Sequence, residues 1–201
     1  MKSLLSWFLL IVSFAVLVSS CAKSDDSKTA TTDNSSSSVN CNNGCFVAVG
    51  YSGNIVRSSD NGASWYNATS PTAHNHLGVT YGNNTFVGVG ENGNIVRSTD
   101  NGSSWDNATS PTGNKLDGVG HGNNIFVAVG SYGNILRSTD NGTTWDNVTS
   151  PTANYLNEIT FGNNTFVAVG DGGNIVRSTD NGSTWDNITS GTSDFLRGIT
   201  F

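Results

Sequence analysis

The sequence predicts an all-β fold, a β-propeller of four-stranded antiparallel blades. Three observations predict it. Trp65, Trp105, Trp145 and Trp185 recur every 40 residues, as do Gly50, Gly90, Gly130 and Gly170, and Arg57, Arg97, Arg137 and Arg177. Inside each unit, short β-rich runs are broken by Gly, Asn and Asp clusters, and no helical period is present. Room for four short strands per unit at this repeat length indicates propeller blades; a β-solenoid, with shorter coils and no tight hairpin at a fixed place, is the second choice.

The second unit shows the elements in order. Strands are expected at about Leu77–Tyr81, Thr85–Val89, Asn94–Thr99 and Ser104–Thr109. Phe86-Val87-Gly88-Val89 is apolar or small on both faces, as a strand sandwiched between neighbouring sheets must be. Asp100-Asn101-Gly102 joins strands three and four, because Asn-Gly supplies the positive φ values that a hairpin turn needs. With Asn101-Gly102 at the centre, Arg97 faces Asp106, and Arg137–Asp146 and Arg177–Asp186 follow suit, so the repeated arginines read as construction parts.

Ser98-Thr99-Asp100-Asn101-Gly102-Ser103-Ser104-Trp105 resembles the Asp-box, Ser-x-Asp-x-Gly-x-Thr/Ser-Trp, also called the BNR repeat. Residues 58–65, 138–145 and 178–185 match it in the same register. The resemblance covers residues 41–201 and implies kinship with sialidases, other secreted glycosidases and photosystem II assembly-factor-like propellers. The Phe-Val-Ala-Val-Gly strand, at 46–50, 126–130 and 166–170, looks most like the last group. Asp60, Asp100, Asp140 and Asp180 have a structural task, accepting hydrogen bonds from turn amides, while Trp65, Trp105, Trp145 and Trp185 bury a ring beneath the hairpin. Four carboxylates at equal spacing are no metal or catalytic set, since each belongs to its own blade.

Three segments are expected. Residues 1–20 carry Lys2 and an apolar run from Leu4 to Val18, too short for a membrane-spanning helix but suited to a signal peptide. The run closes with Val18-Ser19-Ser20-Cys21, which resembles a bacterial lipoprotein signal. That implies lipidation of Cys21, export, and anchoring at the cell envelope, on the outer membrane or cell surface. Residues 21–40 are Ser, Thr, Asp and Asn with almost nothing to bury, a flexible tether. Residues 41–201 are the propeller. Cys41 and Cys45 flank Asn42-Asn43-Gly44 and are expected to form a disulfide in an oxidising compartment; two free thiols or a metal pair are the other readings.

Composition narrows the function. Fifteen acidic against nine basic side chains give a net charge of −6, and the basic residues are dispersed, which disfavours nucleic acid. A sialidase-like enzyme needs three convergent arginines and a Tyr–Glu pair, whereas four of the five arginines here hold one repeat position and only Glu91 and Glu158 represent Glu. The Phe/Tyr-Arg-Ile-Pro motif of that family is absent, and His74, His76 and His121 form no Ser–His–Asp set. The expectation is a non-enzyme without cofactor or metal, binding a protein or a glycan. The alternatives are a truncated or degenerate sialidase-like glycosidase and a photosystem II assembly-factor-like protein.

Topology locates the candidate site. In a meander, the turns after strands one and three share one end of the blade and are nearly identical between units. The turn after strand two and the crossover after strand four share the other end and carry the variation, at Tyr51, His74, His76, Glu91, Lys115, Asp117, Tyr132, Tyr155, Glu158, Asp171 and Phe195. Loops on a rigid scaffold are where binding specificity is placed.

Finally, Phe201 aligns with Phe161 and Tyr81, so Leu196–Phe201 is an unmatched first strand. It is expected to complete the N-terminal blade of a four-bladed ring. The chain being a fragment of a larger propeller, or pairing as a homodimer, are the rival readings.

Overall fold

A computed structural model describes residues 45–201. The expected signal segment, the tether, Cys21 and Cys41 lie outside the described residues. Cys45 is disulfide-bonded.

Four antiparallel meander sheets follow one another along the chain. The first has three strands, β1 (Phe46–Val49), β2 (Ile55–Ser58) and β3 (Tyr66–Ala68). The second has β4 (His76–Gly82), β5 (Thr85–Gly90), β6 (Ile95–Ser98) and β7 (Asp106–Ala108). The third has β8 (Leu116–Gly122), β9 (Ile125–Gly130), β10 (Ile135–Ser138) and β11 (Asp146–Val148). The fourth has β12 (Leu156–Gly162), β13 (Thr165–Gly170), β14 (Ile175–Ser178) and β15 (Asp186–Ile188). This is the all-β propeller architecture that the repeats predict, with strand limits within two residues of expectation in the second blade.

Each hairpin follows from its turn residues. Asn83 and Asn84 carry φ of 48° and 57° between the paired Gly82 and Thr85, the two-residue turn whose twist matches the flanking strands. The loop between β6 and β7 is longer, because Asp100 folds it onto itself. Its Oδ1 accepts from the Ser98 hydroxyl at 2.8 Å and the Ser104 amide at 2.9 Å, and its Oδ2 accepts from the Ser104 hydroxyl at 2.6 Å. The Trp105 indole N–H then donates to the Gly102 carbonyl at 3.1 Å. The same bonds recur around Asp60, Asp140 and Asp180. The expected pairing of Arg97 with Asp106 holds in the strand register. The guanidinium, however, turns to the next blade, where Arg97 Nε donates to the Asn141 carbonyl at 3.2 Å and Arg137 Nε to the Asn181 carbonyl at 2.7 Å. A backbone carbonyl at the rim of the neighbouring turn is in line with the side chain, and it ties blade to blade.

These turns set an acid limit. Hydrogen bonds from the Ser64 hydroxyl and amide and from Ser58 lower the Asp60 carboxyl to about 2, and those from the Thr184 hydroxyl and amide lower Asp180 to about 2. Such carboxylates support the fold fully above their ordinary value, near 4, and lose that support as pH falls toward 2. Thermal midpoints measured across this range should fall steeply, and Asp180→Asn should flatten part of the slope; an unchanged slope would refute the assignment.

The core lies between the blades. Ile55, with Val47, Val49 and Ala68, meets Phe86, Val96 and Trp105 of the second blade. Val87, Val89 and Ile95 meet Phe126, Ala128, Leu136 and Trp145 of the third. Val127, Val129 and Ile135 meet Phe166, Ala168, Val176 and Trp185 of the fourth. The second and third blades therefore bury one face against the preceding blade and the other against the following one, and their second strands, Thr85–Gly90 and Ile125–Gly130, are buried throughout.

The C-terminal segment departs from expectation. Leu196–Phe201 forms no strand and does not complete the first blade, where β1 is the edge strand among the described residues. The segment lies instead on the fourth blade, where the Leu196 amide donates to the Gly170 carbonyl at 3.1 Å and a Cβ on Gly162 would strike the Phe201 ring. Phe161 covers Gly122 in the same manner, so the segment holds the place of a first strand in a following blade.

Candidate functional site

The second strand of every blade ends in a three-residue 3-10 turn, at Tyr51–Gly53, Glu91–Gly93, Ser131–Gly133 and Asp171–Gly173. The middle residue of each has positive φ, and in three turns it is Ser52, Asn92 or Gly172. In the third it is Tyr132, at φ 58° and ψ 30°. The left-handed region crowds a bulky side chain against the following carbonyl, at a cost of about 1 kcal/mol. Local strain of this kind collects at functional sites.

The strained residue has company. The crossover from the third to the fourth blade brings Tyr155 alongside, with ring centroids 5.5 Å apart. Hydrogen bonding to Tyr132, then its charge, raises the Tyr155 phenol above the ordinary range. Lys115 Nζ lies 6.0 Å from the Tyr155 ring and 2.7 Å from Asp117 Oδ1. Asp117 owes its position to a β-bulge, because the β8–β9 register jumps between Leu116 and Gly118 and leaves residue 117 aimed out of the ladder. The Ser131 amide donates to the Lys115 carbonyl at 2.9 Å, fixing the tyrosine turn to the lysine strand. Two aromatic faces, an ammonium and a carboxylate thus converge at the junction of the third and fourth blades. Stacking on a sugar ring or an aromatic side chain, with polar groups at the edge, is the chemistry this patch offers.

The other expected site residues share this end of the blades without joining that cluster. Tyr51 stands exposed on the first blade. His74 meets Asn92 at 3.2 Å, next to Glu91. Asp171 accepts from Asn157 at 2.9 Å, and Phe195 packs under Arg197 at 5.2 Å. Glu158 is half-buried, and burial raises its carboxyl above the ordinary range. His76 is not on the surface. It is 2% exposed, with its ring 3.2 Å from the Ser70 hydroxyl. The reason is positional, since residue 76 opens β4 where Leu116 and Leu156 open β8 and β12 inside the core. Ser131, beside Tyr132 at the variable end that the sequence marks, seats the tyrosine turn. Among the described residues, no three His, Cys, Asp or Glu side chains gather to hold a metal.

The fold and this end of it define a repeat propeller that presents a variable face. No protein-family profile matches the chain, and no curated protein does. Among solved structures, YCF48 bound to D1 peptide is similar, with a TM-score of 0.63 and 20% identity, over 80% of this chain and 55% of that one. An ancestral GH74 enzyme is similar at 0.58 and 20%, over 71% and 22% of the two chains. The Niastella koreensis GH74 enzyme is similar at 0.55 and 22%, over 73% and 23%. The chain spans about half the length of the first and under a quarter of the others. At these identities the likeness is one of fold.

Proposed function

We propose that the chain is a non-enzymatic, exported lipoprotein whose propeller binds a protein or a glycan through Lys115, Asp117, Tyr132 and Tyr155. The observation that carries this reading is Tyr132. A bulky aromatic held in the left-handed region, where the sister turns use Ser, Asn or Gly, has a stability cost that ligand contact would explain. The Asp-box resemblance agrees, since the active-site face of Asp-box enzymes lies opposite those turns. The peptide in the YCF48 structure makes a protein the first class of ligand to test, and that likeness fits the assembly-factor-like alternative as well.

Replacing Tyr132 by the Asn of the sister turn separates function from fold. Tyr132→Asn should leave stability unchanged or raise it by up to about 1 kcal/mol, while removing binding to envelope proteins or to an immobilised glycan panel. Tyr155→Ala should remove the same ligand. Retention of every ligand by both variants would end the proposal. Sialoside and glucan substrates should show no hydrolysis above buffer; turnover would overturn the non-enzymatic part. The anchor rests on Cys21, and Cys21→Ser should release the chain from the membrane fraction, a result that retained membrane association would contradict.

A further inference from the structure

The variable end already shows which chemistry its rings hold. Tyr155 and Phe195 occupy the same place in successive repeats. Each has a cation of the chain's own against its ring, Lys115 Nζ at 6.0 Å from the Tyr155 centroid and Arg197 Cζ at 5.2 Å from that of Phe195. The two cations come from different repeat positions, since Lys115 aligns with Tyr155 itself and Arg197 with Asp117 and Asn157. The pairing is therefore no by-product of duplication. Positive charge is drawn to the negative face of an aromatic ring, and here it is drawn twice by separate routes.

Tyr132 offers the same kind of ring, 65% exposed, and no cation among the described residues stands over it. The ring is held in place rather than left to wander. Its turn is tied at both sides, by the Ser131 amide to the Lys115 carbonyl at 2.9 Å and by the Asn134 amide to the Ser131 carbonyl at 3.1 Å. A ring fixed beforehand loses little freedom when a partner covers it. Its surroundings are acidic. Glu91, Asp117, Glu158, Asp171 and Asp194 share this end of the blades with Lys115 and Arg197, and Lys115 is itself bound to Asp117 at 2.7 Å. Asp171 stands beside the tyrosine pair, because its amide donates to the Tyr155 carbonyl at 2.9 Å. This field attracts a cation and repels an anion, and it adds nothing for a neutral sugar.

We propose that the ligand of the variable face is a basic protein segment that lays an arginine guanidinium on the Tyr132 ring. The assignment rests on the site reading above and narrows its ligand from protein or glycan to one chemistry. Arginine suits the place better than lysine. Its planar group stacks on a ring face while its N–H groups point outward in the same plane, toward carboxylates at the edge, whereas an ammonium is a hydrated point charge that cannot do both. The ring supplies the seat and the surrounding carboxylates supply the long-range attraction.

The test is fluorescence anisotropy of labelled peptides titrated with the full chain in mild detergent, using alternating arginine–glycine, lysine–glycine and glutamate–glycine sequences of one length. The arginine peptide should bind, the lysine peptide more weakly and the glutamate peptide not at all, and binding should weaken as salt rises. Tyr132→Phe should keep the arginine peptide, because the ring face remains. Tyr132→Asn should weaken it about tenfold. Asp146→Asn removes a carboxylate toward the Asp-box end of the same blade and should leave binding unchanged, which separates a seated guanidinium from general attraction to an acidic chain. Circular dichroism verifies that each variant folds. An arginine peptide that fails to bind, or that Tyr132→Asn holds as tightly as the wild type, overturns the proposal, and so does equal binding of the lysine peptide. The site reading has its own readout in the envelope proteins and glycans lost by Tyr132→Asn. A glycan or an acidic protein lost there would sink the basic segment and leave the site standing.

Discussion

Trp145→Ala should unfold the chain at far lower denaturant than Trp65→Ala, although the two tryptophans hold the same place in the same motif. Both indoles donate to a glycine carbonyl within their own turn, at 3.0 Å and 3.1 Å, so the local hydrogen bond does not distinguish them. Their surroundings do. Trp145 is 5% exposed and packs into the cluster that joins the second and third blades, while Trp65 is 41% exposed with no described blade before it. Truncating a buried Trp costs about 3–5 kcal/mol, as lost transfer energy plus an unfilled cavity. At Trp65 about half of that is expected, because part of the ring is already in water. In a repeat array stability is a sum of unit and neighbour terms, so Trp145→Ala removes most of one neighbour term. Urea midpoints of both variants measure the difference. Equal midpoints would mean that Trp65 is as well covered in solution as Trp145, and would refute the difference.

How much of this was legible in the sequence depended on whether the signal repeated. The blade order, the strand limits and the Asp-centred turns were readable because each was written four times in register, so local ambiguity averaged out. The end of the blades that holds the candidate site was readable too, because a meander fixes which turns share an end. What the sequence concealed were relations between blades. Arg97 looked paired with Asp106 because strand register is a property within one sheet, whereas its bond to Asn141 depends on the angle to the next. The ring closure expected of Leu196–Phe201 failed for the same reason, since alignment identifies the strand but not the blade it joins. His76 is expected on the surface because it closes the variable crossover at 74–76, although the leucines at 116, 156 and 196 mark its position as core. Tyr132 stands out in the sequence only as one of the residues that vary between units at that end; its strained backbone became visible only with coordinates.

Replacing His76 by the leucine of its sister units should stabilise the chain, and the gain should grow as the solution becomes more acidic. The imidazole fills a slot that Leu116 and Leu156 occupy with no exposure, so a leucine fits without new space. The ring brings polar atoms into that slot at a cost. Nδ1 is buried without a hydrogen-bond partner, and leaving one such atom unsatisfied costs about 1–3 kcal/mol. Ser70 loses little by the change, because its hydroxyl already donates to the Thr72 carbonyl at 2.9 Å, as Ser110 donates to that of Thr112. Burial, then the charge of nearby His74, lowers the His76 pKa below the ordinary 6.5. The unfolded chain therefore takes up a proton near pH 6.5 that the folded chain refuses, and the wild type loses stability as pH falls through that value toward the depressed folded one. His76→Leu abolishes this linkage, so the two proteins should differ least above the ordinary value of 6.5 and increasingly as pH falls below it. Denaturation midpoints of the pair at several pH values test both parts. A variant less stable than the wild type at neutral pH would show that the Ser70–His76 contact outweighs the unsatisfied nitrogen, and parallel pH profiles would show that His76 is protonated in the folded chain.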